Sequence, residues 1–264
     1  MAKVSTNADV SEAHADPVVR RIGMADLKTA LVKGYADFAD TPTQLVFLGL
    51  IYPLIGILAA TAASGGALLP LLYPIVAGLS LMGPVAAVGI YELSRRRERG
   101  YVVSWVNAFD ALRSPSIGSI VALGLLLCVV FVLWLFAAQA IYRMTMGDEL
   151  PASIGDFVHR AFNTREGWRL ILWGNMAGFL FAVVVLTLTV VSFPLLLDRD
   201  VGVRVAIRTS IRAVLTNPVA MAVWGLIVAA ALFIGCLPLF VGLAVAMPVL
   251  GHSTWHLYRQ VVEP

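Results

Sequence analysis

The chain has 264 residues, of which 59% are hydrophobic and 13% charged, and its mean hydropathy is +0.86. Soluble proteins contain about 45–50% apolar and about 25% charged residues. This composition excludes a soluble enzyme domain and a disulfide-stapled secreted module, and it excludes a nucleic-acid binder despite a pI near 9.0. The chain is predicted to be an all-α, polytopic membrane protein.

Long stretches without Asp, Glu, Lys, Arg or His mark the predicted membrane helices. A helix that crosses a bilayer needs about 20 apolar residues, so the shorter charge-free stretches provide one span each and the two longest provide two. Ser64-Gly65-Gly66 and Gly235-Cys236-Leu237-Pro238 are the predicted turns within those longest stretches. Six spans result, at about residues 44–63, 67–91, 117–142, 170–197, 219–234 and 239–258.

The arginines and lysines orient these spans. With six spans, both termini lie on one side, and 15 basic residues fall on that side against four on the other. Basic segments are retained in the cytoplasm during insertion. We therefore expect an inner-membrane protein with both termini in the cytoplasm, a polar cytoplasmic arm over residues 1–21 and a membrane domain over residues 22–262.

Three short motifs suggest an internal repeat. A small polar residue followed by proline precedes three of the spans, as expected for a helix N-cap with proline at the first helical position. An amphipathic helix is predicted before each motif, and each returning span contains a proline near its end. The motifs are Thr41-Pro42, Ser114-Pro115 and Asn217-Pro218; the apolar faces are Met24, Leu27, Leu31, Tyr35 and Phe38, then Val102, Trp105, Phe109 and Leu112, then Val203, Ile207, Ile211 and Val214; the later prolines are Pro84, Pro194 and Pro248. The predicted architecture is three repeated hairpins, each preceded by a cytoplasmic amphipathic helix.

Three segments resemble a known family. They read MGPVAAVGIYELSRR at 82–96, TSIRAVLTNP at 209–218 and PVLGHSTWHLYR at 248–259. Together they resemble the bacterial family of predicted integral membrane proteins called domain of unknown function 2189, over residues of about 22 to 262. The resemblance implies a bacterial inner-membrane protein of six helices and no assigned activity.

Two histidines give the chain its most suggestive polar pattern. His252 and His256 are four residues apart, so they share one face at the cytoplasmic end of the last span. Glu92 and Asp198 end two other returning spans at similar depth, which predicts a polar cluster of these four residues. The pair of histidines could bind a metal ion or haem. Alternatively, the two histidines hydrogen-bond helix ends and lipid phosphates. We predict no metal site and no cofactor.

Arginines supply the second pattern. Arg95, Arg96 and Arg97 follow the second span, where they orient the chain and attract anionic lipid headgroups. Arg204, Arg208 and Arg212 form a basic stripe along one helix, a pattern typical of a helix in the headgroup layer. A solvated face is the alternative for this stripe.

Apart from the two histidines at the cytoplasmic end of the last one, the predicted spans contain no Asp, Glu, Lys, Arg or His, whereas transporters and pumps usually place such groups along their pathway. The chain also lacks phosphate-loop, nucleophile-elbow and CxxC motifs. We therefore expect a non-enzymatic protein with a structural, assembly or lipid-organising role. Its expected partners are membrane lipids, with another membrane protein or complex as a further candidate, but no nucleic acid. A transporter or channel for a neutral or amphiphilic molecule is the second hypothesis, and a metal or haem protein is the third.

Overall fold

The computed structural model describes residues 17–41, 43, 54 and 69–263. Apart from one isolated bridge, the regular structure of these residues is helical. The helices are α1 (Met24–Asp40), α2 (Leu72–Leu81), α3 (Gly83–Ala86), α4 (Val88–Glu98), α5 (Ile117–Met146), α6 (Ile154–Asn163), α7 (Arg165–Thr189), α8 (Ser192–Asp198), α9 (Gly202–Thr216), α10 (Pro218–Cys236) and α11 (Leu243–Val261). Two 3₁₀ segments, Leu69–Leu71 and Trp105–Arg113, complete the set.

Three helical segments of the described part are long and apolar enough to cross a membrane: Ile117–Met146, Arg165–Asp198 and Pro218–Cys236. They correspond to the third, fourth and fifth predicted spans, so the structure supports these three. The first predicted span and its Ser64-Gly65-Gly66 turn lie outside the described residues. The six-span count and the repeated hairpins stay predictions.

The second predicted span is not one continuous helix. It is divided into α2, α3 and α4, with breaks at Met82 and Ala87. Pro84 lies between the breaks, and a proline ring clashes with the carbonyl group four residues earlier. Pro194 is likewise preceded by the break at Val190 and Val191, whereas Pro248 lies inside the continuous helix α11. The predicted prolines therefore have different effects in the three units.

The last predicted span begins later than expected. Leu239 and Phe240 have φ angles of 50° and 66°, which end the preceding turn and delay α11 to Leu243. The N-cap predictions have mixed outcomes as well. Asn217 is the N-cap of α10 with Pro218 as its first residue, but α5 begins at Ile117 after Ser116 rather than after Ser114.

Tight contacts join the helices within the spanning region. The indole nitrogen of Trp134 in α5 donates a 2.7 Å hydrogen bond to the carbonyl of Pro74 in α2. Gly178 of α7 lies against the same indole, and a Cβ at this glycine would be 3.3 Å from the Trp134 ring. α5 and α7 run in opposite directions, with α6 between them at the far end of the molecule.

The other end carries a polar layer, which we define as residues 18–40 with α1, the end of α4, residues 198–216 with α9, and the C-terminal half of α11. The start of α5 joins it where Ser116 Oγ donates to Asp200, at 3.0 Å. The start of α10 joins it through Asn217, which accepts from the backbone of Ile22 at 2.8 Å and donates to the backbone of Arg20 at 2.9 Å. The ends of three candidate spans therefore meet in this layer.

The two ends of the described chain also meet there. Val19 and Val262 form an antiparallel bridge. The backbone nitrogen of Arg20 donates to the carbonyl of Val261 at 2.7 Å, and that of Glu263 donates to Val18 at 3.1 Å. Residues near the two termini therefore lie on the same side of the molecule.

The predicted surface helices need two corrections. In α1 the buried residues are Leu27, Ala30, Gly34 and Asp37, whereas Met24 and Tyr35, which we expected on the apolar face, are exposed. α11 approaches α1 so closely at Gly34 that only small side chains fit between the two backbones. The buried face of α1 is therefore the one that carries Ala30 and Gly34, rather than the one with the largest apolar residues. The second surface helix is a 3₁₀ helix, Trp105–Arg113, rather than an α-helix.

The third predicted surface helix needs a smaller correction. In α9, Arg204, Arg208 and Arg212 are exposed as expected. The buried residues, however, are Ala206, Thr209, Ser210 and Ala213, whereas the predicted apolar face of Val203, Ile207, Ile211 and Val214 is only half-buried. On the far side, α6 begins after its N-cap Ser153, whose hydroxyl accepts from the backbone nitrogen of Asp156 at 3.1 Å.

Candidate functional site

The centre of the polar layer is a hydrogen-bonded chain of four side chains from three helices. Asp37 lies in the last turn of α1 and is only 6% exposed. The Asp37 Oδ2 atom accepts from Ser94 Oγ of α4 at 2.5 Å and contacts His256 Nε2 of α11 at 2.8 Å. Ser94 Oγ also contacts His252 Nδ1 at 2.7 Å. The order of the chain is therefore His256, Asp37, Ser94, His252.

The geometry assigns the protons. Ser94 has one hydroxyl hydrogen, and it is donated to Asp37, so the Ser94–His252 contact requires a proton on His252 Nδ1. In a neutral imidazole Nε2 is then an acceptor, and this atom is buried without a hydrogen-bond partner among the described residues. His256 Nε2 is the donor to Asp37. Ser94 thus connects the carboxylate of Asp37 to the neutral imidazole of His252.

Asp37 and His252 lie outside the three candidate spans, and both have shifted pKa values. Burial tends to raise the pKa of Asp37, but hydrogen bonds from His256 and Ser94 and the nearby histidine charges together hold it below its ordinary value. Burial lowers the pKa of His252 to about 4, and the opposing attraction of Asp37 is smaller. The cluster is therefore stable as a carboxylate with an uncharged His252 at neutral pH.

A glycine allows α1 and α11 to approach. A Cβ atom on Gly34 would lie 2.1 Å from Ser253 Oγ and 2.5 Å from the Ser253 backbone nitrogen. Such distances are below any real contact, so only glycine fits at this position. The close approach brings Asp37, three residues later in α1, within reach of His256 in α11.

The three arginines that end α4 are held by carboxylates. Arg95 contacts Glu92 at 2.6 Å and Arg96 contacts it at 2.9 Å, and Arg96 also contacts Asp110 at 2.9 Å. Arg97 contacts Asp37 at 3.4 Å and forms a further ion pair with Asp40. These arginines, predicted as lipid contacts, are therefore engaged in ion pairs within the polar layer, and their binding of lipid stays a prediction.

The four residues predicted as one polar cluster separate into three groups. His252 and His256 meet at Asp37, whereas Glu92 pairs with the arginines of its own helix. Asp198 accepts from Tyr258 at 2.8 Å and from Arg259 at 3.3 Å. The sequence analysis missed Asp37 and Ser94 as members of the site. The spacing of Leu27, Ala30, Gly34 and Asp37 by three or four residues is the signal that could have revealed the buried carboxylate.

The four hydrogen-bonded side chains are suited to a structural role, in which they hold three helices together. These side chains are bonded to each other, and His252 and Ser94 are 1% and 0% exposed. In the described part of the chain, no group of three or more His, Cys, Asp and Glu side chains is arranged to hold a metal ion. Each buried polar group that loses its hydrogen-bond partner lowers the stability of the fold by about 1–3 kcal/mol. The hydrogen bonds among these four side chains therefore strongly favour one arrangement of α1, α4 and α11.

The second feature of the polar layer is a basic surface, which we define as Arg204, Arg208 and Arg212 of α9. The three side chains are exposed, and residues that are four apart lie on one helix face. The opposite face of α9 is fixed against the protein by Ala206, Thr209, Ser210 and Ala213, which are at most 1% exposed. Ser210 Oγ accepts from the backbone of Val191 at 3.3 Å. The helix therefore presents a fixed row of cations outward.

Comparison with known proteins finds one family model that matches slightly less than half of the chain. Residues 72–198 match the family model described as "Predicted integral membrane protein (DUF2189)". Over this segment the chain is similar to the DUF2189 family. The matched segment includes the first resembling motif, 82–96, while the other two motifs lie outside it. No curated protein and no solved structure matches the chain. The DUF2189 match establishes an integral membrane protein and assigns it no activity.

Proposed function

We propose that this chain is a non-enzymatic protein of the bacterial inner membrane that binds and organises anionic lipids at its cytoplasmic face. The observation that carries the proposal is the basic surface of α9, a fixed row of three exposed arginines on a helix whose other face is buried against the spans. A basic amphipathic helix in the headgroup layer attracts anionic lipids.

The position of α9 supports lipid as the partner. The helix lies between two candidate spans, following α8 and preceding α10 with a short connection at each end. Its exposed arginines are consequently held within reach of the phosphates beside those spans. Leu215 and Val219, 73% and 69% exposed, continue the surface with apolar side chains suited to the acyl-chain side of the boundary.

The meeting of the chain ends supports an even number of crossings. If both ends lie on one side of the bilayer, three spans cannot be the complete set, because an odd number would separate the ends. At least one more crossing is then required, which agrees with the predicted six. The excess of basic residues on the side of the polar layer favours the cytoplasm for that side.

The character of the buried polar groups supports a non-enzymatic role. Asp37, Ser94 and His252 are the groups best suited to acid–base chemistry, and they bind to one another inside the polar layer rather than lining an open cleft. A cavity of about 440 Å³ has apolar walls and is lined by one helix alone, α7, through Ile171, Leu172, Asn175, Met176, Phe179 and Leu180. It is a groove on that helix, and the transporter hypothesis gains no support from it.

The experiment is a lipid-dependent melting curve of the purified full-length protein in mild non-ionic detergent. Phosphatidylglycerol should raise the melting temperature, because a ligand that binds only the folded state stabilises it. Phosphatidylcholine should have a much smaller effect. Replacing Arg204, Arg208 and Arg212 with Gln should remove about 1 kcal/mol of attraction per arginine and weaken phosphatidylglycerol binding by roughly a hundredfold.

The matched control replaces three exposed arginines at the other end of the molecule, Arg143, Arg165 and Arg169, with Gln. This variant has the same net charge as the first one and should keep the full response to phosphatidylglycerol. An equal loss in both variants would mean that only net charge matters, and an unchanged response in the α9 variant would reject the proposal. A stoichiometric protein that co-purifies through the basic surface, with no lipid response, would reject it in favour of an assembly role.

A further inference from the structure

The 3₁₀ helix Trp105–Arg113 separates its side chains into three straight ridges. A 3₁₀ helix has three residues per turn, so side chains three apart stand directly above one another. The first ridge is Val106, Phe109 and Leu112, which we call the apolar ridge. The second contains Ala108 and Ala111, and the third contains Asn107, Asp110 and Arg113.

The alanine ridge and the polar ridge attach this helix to the rest of the protein. Ala108 packs on α4, where a Cβ atom on Gly89 would lie 3.0 Å from the Ala108 Cβ. Asn107 donates to Asp110 at 3.0 Å, and Asp110 forms a 2.9 Å ion pair with Arg96 of α4. The orientation of the helix is therefore set by contacts on two of its three sides.

The apolar ridge is left outside. Val106, Phe109 and Leu112 are 52%, 58% and 65% exposed, while the polar ridge provides contacts with the protein. This is the reverse of the arrangement in a water-soluble protein, where an amphipathic helix turns its apolar side to the core. A helix fixed in this orientation needs an apolar environment over its outer face.

The connection to α5 gives the depth of that environment. The 3₁₀ helix ends at Arg113, and α5 begins four residues later at Ile117. α5 contains 30 residues, so it is about 45 Å long against a hydrocarbon layer of about 30 Å. Its first turn is thus expected in the headgroup region, and the apolar ridge immediately before it lies at the boundary between headgroups and acyl chains.

Two further observations favour lipid over a protein partner. The exposed apolar surface continues past the connection into the first turns of α5, where Val121 and Leu125 are 52% and 62% exposed. Beside the ridge stand Trp105, an aromatic residue typical of membrane interfaces, and Arg113, whose side chain is 86% exposed and complements phosphate. Acyl chains for the ridge and phosphates for the arginine are both supplied by one lipid surface.

We propose that Val106, Phe109 and Leu112 are immersed in the bilayer as an interfacial anchor, which fixes the depth of the polar layer at the membrane surface. The anchor is separate from the proposed headgroup binding by α9. Either proposal can fail alone, because immersion of Phe109 and binding of phosphatidylglycerol are measured independently.

The test measures the immersion of single spin labels. Cys128 and Cys236 are replaced with Ala, Phe109→Cys is labelled with a nitroxide, and the protein is reconstituted in vesicles of phosphatidylethanolamine and phosphatidylglycerol. Collision rates are measured with oxygen, which concentrates in the bilayer, and with a water-soluble nickel chelate. The matched control carries the label at Arg113→Cys, on the polar ridge of the same helix.

We expect the label at position 109 to collide several-fold more with oxygen than with nickel, and the label at position 113 to show the opposite preference. Equal exposure of both labels to nickel would overturn the proposal. Protection of position 109 from both reagents would also overturn it, since a second copy or another segment of the chain would then cover the ridge. Val106→Cys provides the same readout if the Phe109 variant loses the melting temperature of the unlabelled protein.

Discussion

Ser94 lies between a carboxylate and an imidazole: its hydroxyl donates to Asp37 at 2.5 Å and accepts from Nδ1 of His252 at 2.7 Å. One hydroxyl group thus connects α1, α4 and α11 in a single polar chain. Because these groups are buried, each bond is difficult to replace with water. The pairing explains why a chain with so few charged residues keeps an aspartate inside its polar layer.

Replacing Ser94 with Ala should destabilise the fold by about 2–4 kcal/mol, because Asp37 loses a donor and His252 Nδ1 is left without an acceptor. The measurement is thermal or denaturant unfolding of the purified protein in detergent. Ser80→Ala is the control, since Ser80 is exposed and bonds only within its own helix. Equal stability of the Ser94 variant and the native protein would contradict the structural role of these hydrogen bonds.

Gly34→Ala should be as damaging as loss of the polar chain. The added Cβ would lie 2.5 Å from the backbone nitrogen of Ser253, so α1 must move away from α11. Overpacking of this kind costs about 1–3 kcal/mol or more. Ser253→Gly should not rescue the variant, because the clash with the backbone remains. Gly118→Ala is the control, because this glycine is also helical and its added Cβ would meet nothing within 4 Å.

Stability should fall as the pH decreases from about 6.5 towards 4. The pKa of His252 is near 4 in the folded protein and near 6.5 when unfolded, so the unfolded state binds more protons in this window and gains stability as the pH falls. The difference corresponds to about 3 kcal/mol. Asp37, whose folded pKa is also lowered, contributes stability that is lost only at still lower pH.

The pH dependence is measured from unfolding curves at several pH values. His252→Asn should flatten it between pH 6.5 and 4, because the amide is uncharged and retains a donor for Ser94. His159→Asn is the matched control, since His159 is exposed and its replacement should leave the slope unchanged. A native slope in the His252 variant would mean that another group titrates in this window.

Features that depend on local sequence could be predicted. The third, fourth and fifth spans follow from charge-free stretches of sufficient length, and the start of α6 follows from Ser153 and Asp156. Local capping also identified Asn217-Pro218 as the start of α10. Each of these signals is contained within a few neighbouring residues, so tertiary contacts are not needed to read it.

Features that depend on distant contacts could not be predicted. The partner of His256 is Asp37, 219 residues earlier, and nothing in the sequence near His256 indicates it. The buried face of α1 was misread because large apolar residues were favoured over Gly34 and Ala30, which allow the helices to approach. The 3₁₀ helix was misread as an α-helix because steps of three fit both periods over so short a segment.

The orientation of the whole chain gives the last prediction. Single cysteines at exposed positions in a protein lacking Cys128 and Cys236 should react with a membrane-impermeant maleimide from one side only. Lys28→Cys and Arg204→Cys, both exposed and in the polar layer, should be labelled in inverted inner-membrane vesicles and protected in intact cells with a permeabilised outer membrane. His159→Cys in α6 should show the reverse pattern, because α6 lies at the far end of α5 and α7. Labelling of all three positions from the same side would contradict a spanning α5–α7 pair. Reversal of the pattern would place the polar layer outside the cytoplasm, and the cytoplasmic lipid proposal would be wrong with it.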